Sequence, residues 1–131
     1  MANPTDTYQW PLNTGPVRFS LEDFDDGATP AVIKLPPGAI ITRGRVVVQT
    51  AFDAETTATL KVGDADTDDR YLSSGDISDA GVVELVPTGH VHAEADELIL
   101  TYASTGDAAG EGEGYIELEI IVQDRVNESV T

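Results

Sequence analysis

No cysteine occurs in the chain, which removes disulfide frameworks, thiolate metal sites and cysteine nucleophiles together. Aromatic residues are scarce, at 6% of a sequence that is 40% hydrophobic. The core must therefore be built from Val, Ile, Leu and Ala, as β-sheet proteins often do. Basic residues are few as well: 7 Lys and Arg against 24 Asp and Glu, for a net charge of −17. That charge repels phosphate backbones and anionic lipid headgroups, so direct nucleic-acid binding is the function most firmly excluded. It suits a surface facing a saline medium or a basic partner, or serves solubility alone. No apolar run approaches the roughly 20 residues that span a bilayer, and the N-terminus lacks the basic and apolar regions of a secretory signal. The expectation is cytoplasmic synthesis without membrane insertion. Helical periodicity over about 10 to 12 residues is also missing, so helix should be a minor component.

What the chain does contain is a succession of short β segments punctuated by turn residues. Its 131 residues fit one domain and one core. Residues 1–15 hold Pro4, Pro11 and Gly15 among polar residues, with Tyr8, Trp10 and Leu12 alternating between them. They read as an extended N-terminal arm with one short apolar strand, and the only tryptophan marks it as an anchor against a partner or against the chain's own core. Residues 16–124 form the β domain, and 125–131 a loose tail. Val17, Phe19 and Leu21 alternate before the turn Phe24-Asp25-Asp26-Gly27, and residues 31–35 form a run that Pro36-Pro37-Gly38 stops. A longer strand follows, bent or bulged at Gly44, whose Val46, Val47 and Val48 in succession predict burial on both faces and hence a central position. Segments 58–62, 82–86, 97–102 and 115–123 complete the set, the last alternating Ile116, Leu118, Ile120 and Val122 with Glu117, Glu119 and Ile121. About eight short strands at intervals near ten residues predict an all-β fold, a β-sandwich or a jelly-roll-like barrel.

Two patterns resemble metal sites and are weak. Asp64, Asp66 and Asp68 alternate as the first ligands of a calcium loop would, but Asp69 stands where an EF-hand needs glycine and Gly75 where it needs a bidentate glutamate. A solvated acidic turn is the better reading. His90, His92 and Glu97 match one cupin metal motif, and Gly81, Pro87, Gly89 and His92 the other, yet both use the same dozen residues and no second copy exists. No metal or other cofactor is expected. Ser73, Ser74 and Ser104 sit in plain turn sequence without a nucleophile elbow, and no phosphate-binding glycine loop occurs, so no enzymatic function is expected.

The block Gly44-Arg-Val-Val-Val-Gln-Thr-Ala-Phe-Asp53, then Ala58-Thr-Leu-Lys-Val-Gly-Asp64, then Asp69-Arg-Tyr-Leu72, resembles small β-rich virion proteins of tailed phages. Asp96-Glu-Leu-Ile-Leu-Thr-Tyr102 and the closing Gly114-Tyr-Ile-Glu-Leu-Glu-Ile120 extend the likeness over residues 35–122. These motifs carry scaffold rather than chemistry: Gly63 ends a strand, Phe52 and Leu60 belong to the core, and Arg70 pairs with the acidic loop it follows. The resemblance implies a homo-oligomeric virion component, with a trimer expected. First among such roles is a capsid decoration or cement protein on the head exterior, bridging major capsid protein subunits through an arm carrying Tyr8, Trp10 and Leu12. A tail or fibre component with a host-binding surface is the alternative, and a small cupin-like metal-binding protein the third.

Overall fold

The computed structural model of the chain describes residues 7–8, 10–123 and 128–129. Eight strands of four residues or more alternate with one 3-10 segment: β3 (Val17–Ser20), the 3-10 turn Leu21–Gly27, β4 (Ala31–Leu35), β5 (Ala39–Thr50), β6 (Thr57–Gly63), β7 (Leu72–Asp76), β8 (Gly81–Glu84), β10 (Asp96–Thr105) and β11 (Glu113–Val122). Four two-residue strands complete the described set: β1 (Thr7–Tyr8), β2 (Leu12–Asn13), β9 (Val91–His92) and β12 (Glu128–Ser129). These last are too short for alternation to reveal them, and β7 escapes it too: Ser73 and Ser74, which read as turn sequence, lie on β7, and Ser104 lies on β10, whose end runs past the expected residue 102.

The strands form two antiparallel sheets facing each other as a β-sandwich, not a closed barrel. One sheet has the order β4-β10-β6-β7. In the other, β5 and β11 lie at the centre, β2 and β3 pair along the far side of β11, and β8 and β9 pair along the far side of β5. β1 pairs with β12, and Leu12 of the N-terminal segment lies opposite Ile120.

Alternation decides the two faces of the larger sheet. Ile116, Leu118, Ile120 and Val122 of β11 turn inward, while Glu113, Tyr115, Glu117, Glu119 and Ile121 turn out. β5 alternates likewise: Val46 and Val48 are buried and Val47 is on the outer face, so the valine run marks a central strand with one wetter side. The bulge expected near Gly44 falls at residues 41–43, where Thr42 is the extra residue between Ile41 opposite Ile120 and Arg43 opposite Glu119. Gly44 itself lies under Leu118 and Leu85, whose methyl carbons stand 2.7 and 2.8 Å from where a Cβ would be.

The three phenylalanines and Tyr102 gather at one end of the sandwich. The turn Phe24-Asp25-Asp26-Gly27 reverses through positive φ at Asp26 (58°) and Gly27 (76°), and this drops Phe24 onto the core. Its ring stacks on Tyr102 at 5.4 Å, Tyr102 meets Phe52 at 5.5 Å, and Phe52 stacks on Phe19 at 6.0 Å. Phe52 and Leu60 are fully buried, as their place in the motif predicts. Replacing Phe52 by Ala should lower the unfolding free energy by about 3–5 kcal/mol, because it leaves a cavity where three other rings converge. Urea denaturation measures it, and a loss below about 1 kcal/mol would show that the cluster is peripheral.

Candidate functional site

β6 ends at Gly63, where an added Cβ would collide with the backbone of Thr67 and Asp68, so only glycine lets the acidic loop close back on the strand. Asp64 then turns inward. Its Oδ1 accepts the backbone N–H of Asp66 at 3.1 Å and of Thr67 at 2.8 Å, and its Oδ2 accepts Nε of Arg70 at 2.6 Å. The Arg70 guanidinium also reaches Thr67 Oγ1 at 3.2 Å. The expected pairing of Arg70 with its loop is therefore an almost solvent-free ion pair with Asp64, which is 1% exposed.

The next residue extends this network across the sandwich. Tyr71 and His92 are 1% and 2% exposed, and the Tyr71 hydroxyl lies 2.7 Å from His92 Nε2. His92 Nδ1 lies 2.9 Å from Asp96 Oδ2 and 3.8 Å from Asp64 Oδ2. A carboxylate only accepts, so Nδ1 carries the proton, and in the neutral imidazole Nε2 accepts from the tyrosine. Side chains from the β6–β7 loop, β9 and the start of β10 are thus joined in one chain of hydrogen bonds.

Electrostatics follow burial and partners. Burial pushes the Asp64 carboxyl up, but the hydrogen bonds from Arg70 and the Thr67 N–H outweigh it, with help from the Arg70 charge, and hold it below its ordinary value. Burial pushes the Tyr71 phenol up to about 12.

This cluster absorbs some of the metal candidates and separates others. Ligand atoms of Asp64, His90 and His92 lie within 4.8 Å of one another, with the two imidazoles edge to face at 4.7 Å. Yet both Asp64 oxygens and both His92 nitrogens already hold partners, and the Arg70 guanidinium occupies the position a cation would take. A metal would have to break the network to enter. Asp66 contributes its backbone and Asp68 pairs with Lys61 at 3.6 Å, so neither carboxylate joins Asp64. Glu97 lies opposite Lys34 on β4, and its neighbour Asp96 reaches the histidine instead. Asp96 and Tyr71 are the members of the network whose roles no motif announced.

A different surface lies on the outer face of the β5–β11 sheet. Directly opposed residues form four rows across the strands: Val82, Val47, Tyr115 and Arg18; Glu84, Arg45 and Glu117; Arg43, Glu119 and Asn13; and Val91, Ile40 and Ile121. Arg45 pairs with Glu117, Arg43 Nε lies 3.8 Å from Glu119, and Arg18 lies 3.2 Å from Glu113. A hollow of about 390 Å³ opens over the two charged rows, floored by Gly44 and Leu118. Elsewhere, Trp10 is 63% exposed just before β2, Leu12 packs half-buried against the core, and the Tyr8 side chain lies outside the described residues. At the aromatic end, segments 21–27, 51–56 and 106–112 bring together eight carboxylates with no Lys, Arg or His, and hydrogen bonds from Leu21 to Gly112, Asp53 to Glu111 and Glu55 to Asp107 join them.

With this geometry the chain is similar to chains in three solved phage capsids. A chain of the cyanophage Pam1 capsid asymmetric unit superposes with a TM-score of 0.67 at 17% identity, covering 93% of this chain and 92% of that one. A chain in the capsid of Ralstonia phage GP4 gives 0.63 at 15% identity, covering 95% and 92%. One in the acid-stable capsid of Helicobacter pylori bacteriophage KHP30 gives 0.60 at 15% identity, covering 85% and 92%. No protein-family model and no curated protein sequence matches the chain. The likeness is one of fold, and it runs end to end in both directions, so the matched chains are of similar length to this one. The resemblance read from residues 35–122 holds at that level.

The network makes stability depend on pH at both extremes. Asp64 titrates below its ordinary 3.8, so its contribution is present above that pH and is lost as pH falls through the lower folded value. Tyr71 titrates at about 12 instead of 10.0, so its contribution is present below pH 10 and is lost as pH climbs toward 12. Two units correspond to an amount on the order of 2–3 kcal/mol. Tyr71→Phe should flatten the alkaline limb and cost about 1–2 kcal/mol at neutral pH, since His92 Nε2 loses its partner. Unfolding titrations across pH would refute this account if the alkaline limb were the same in both proteins.

Proposed function

We propose that the chain is a decoration, or cement, protein of a tailed-phage head, sitting on the outer surface and stabilising the shell by bridging major capsid protein subunits. The observation that carries this reading is the end-to-end sharing of its fold with similarly sized chains of three phage capsids. Its charge of −17 supports the exterior, because so acidic a protein is repelled by packaged DNA but tolerated outside the shell. The role is structural: it adds buried interface where shell subunits meet and resists internal pressure without a chemical step. Copies of the chain associate with one another as well as with the shell.

The tether in this reading is the N-terminal segment, residues 1–15, with Tyr8, Trp10 and Leu12 as its apolar contacts. Trp10 supports the assignment because it is a large aromatic left 63% exposed, the kind of side chain that anchors an interface when a partner covers it.

Cryo-electron microscopy of bare heads mixed with the purified protein tests the proposal. Regular density on the head exterior is the expected result. Density confined to the tail would transfer the protein to the tail or fibre alternative, and a shell lattice built from this chain itself would make it a shell subunit. Trp10→Ala should weaken head binding by roughly 30-fold, the effect of losing an anchor worth about 2 kcal/mol. Circular dichroism checks that the variant remains folded. Undiminished binding by Trp10→Ala would remove the tether assignment.

A further inference from the structure

The outer face of the β5–β11 sheet differs in charge from the rest of the molecule. Its four rows and their flanking pair hold Arg18, Arg43 and Arg45 against Glu84, Glu113, Glu117 and Glu119. Three arginines against four glutamates leave a net charge of −1 out of the chain's −17. Of the five Lys or Arg ion pairs among the described residues, three lie here. Two copies of so acidic a protein repel each other over most of their surfaces, with the aromatic end the extreme case. This face is where that repulsion is least.

The face is also complementary to itself. Its cations and anions are sorted by strand: Arg43 and Arg45 stand on β5, while Glu117 and Glu119 stand opposite them on β11. Rotation about a two-fold axis that runs parallel to the strands, between β5 and β11, keeps every row at its own level and exchanges the two columns. Arg45 then meets Glu117 of a second copy, and Arg43 meets its Glu119. At the two ends of the face, Val47 meets Tyr115 of the second copy, and Ile40 meets its Ile121. A two-fold axis perpendicular to the strands fails, because it would set Arg45 against Arg43 and Glu117 against Glu119. Apolar pairs thus flank a charged centre, and the same operation matches β5 to β11 in all four rows, while at the outer edge of the first row it sets Val82 against Arg18 of the second copy.

The dimensions suffice for a specific contact. Four strands of width at about 4.8 Å each and the ten residues of β11 at about 3.3 Å each give a projected area of roughly 600 Å² per copy. That lies at the lower edge of the range for stable protein pairs, about 1,200 Å² in total. Aligned sheets pack face to face with their strands within about 30° of each other, a geometry this axis permits.

We infer that the outer face of the β5–β11 sheet is the contact between two copies of this chain, related by a two-fold axis parallel to the strands. The assembly it builds is a dimer, in place of the trimer that the phage resemblance implies. The contact uses neither the apolar residues of the N-terminal tether, Tyr8, Trp10 and Leu12, nor the head.

Sedimentation equilibrium of the full chain, in the absence of capsids, tests the inference. A reversible monomer–dimer equilibrium is expected between micromolar and near-millimolar concentration. Val47→Arg should weaken it at least tenfold, although the substitution lowers the net negative charge and so relieves the general repulsion. Val86→Arg makes the same change of charge at a residue 64% exposed and outside the four rows; it should leave the dimer unchanged or strengthen it. Circular dichroism checks that each variant is folded, and Val82→Arg, at a position 53% exposed on the same row, replaces Val47→Arg if that variant is not. A chain that stays monomeric, a trimer, a dimer indifferent to Val47→Arg and Val82→Arg, or one weakened equally by Val86→Arg would each overturn the inference. Because no capsid is involved, a monomeric result leaves the head assignment untouched, and a failure to bind heads leaves this contact standing.

Discussion

The ladder between β5 and β11 sets the position of almost everything else, running from Thr50 opposite Glu113 to Ala39 opposite Val122. β2 and β3 are placed by pairing with β11, and β8 and β9 by pairing with β5, so none of these short strands has another source of register. Its two strands are more than 60 residues apart in the chain, and closing that loop costs entropy before any contact offsets it. The compensation comes from having both faces of the ladder used. One face supplies Ile41, Val46, Val48, Ile116, Leu118 and Ile120 to the core, and the other carries the rows of paired Arg and Glu. A slip of one residue would exchange the faces of the strand that slips, burying the two arginines of β5 or the three glutamates of β11 and exposing its core residues, and so register is held by both faces at once.

Without cysteine and with few aromatics, the other end of the sandwich is fixed by polar contacts. Arg70, Asp64, His92, Asp96 and Tyr71 replace apolar packing where the β6–β7 loop, β9 and β10 converge. Such a cluster is strong only while complete, because removal of any member leaves a desolvated donor, acceptor or charge behind. A histidine with a tyrosine on one nitrogen and a carboxylate on the other has the parts of a proton relay; here Tyr71 and His92 are buried, Asp96 is partly exposed, and the three groups hold the β6–β7 loop against β9 and β10.

How much of this was legible in the sequence depended on distance along the chain. Seven of the eight longer strands follow from alternation and turn residues within about ten residues of each other, while β7, whose Ser73-Ser74-Gly75 reads as a turn, does not; Gly63, Phe52 and Leu60 could be placed from one motif. Arg70 was readable as a partner of the acidic loop because it follows Asp64 by six residues. Asp96 was not, since His-x-His-x4-Glu spacing draws attention to Glu97, and only the start of β10 decides which of two adjacent carboxylates faces inward. Tyr71 and His92 are 21 residues apart on different elements, and no local pattern joins them. Nor do the charged rows appear in any one segment: Arg43 and Arg45 read as solvated strand residues until the register with β11 is known.

Charge ties the two surfaces together. A net charge of −17 drives copies of the protein apart. Spreading acid evenly would leave no approach between copies. The chain instead concentrates it: eight carboxylates without a cation at the aromatic end, and ion pairs that nearly cancel over the β5–β11 face. Exposed pairs of this kind add little to folding, about 0–1 kcal/mol each, so their value lies elsewhere. Their effect is to leave a broad, nearly neutral area bounded by Val47, Tyr115, Ile40 and Ile121, in a molecule that otherwise repels its own kind. Sorting arginine to one central strand and glutamate to the other costs the fold nothing, and it is this sorting that makes the neutral area complementary to itself.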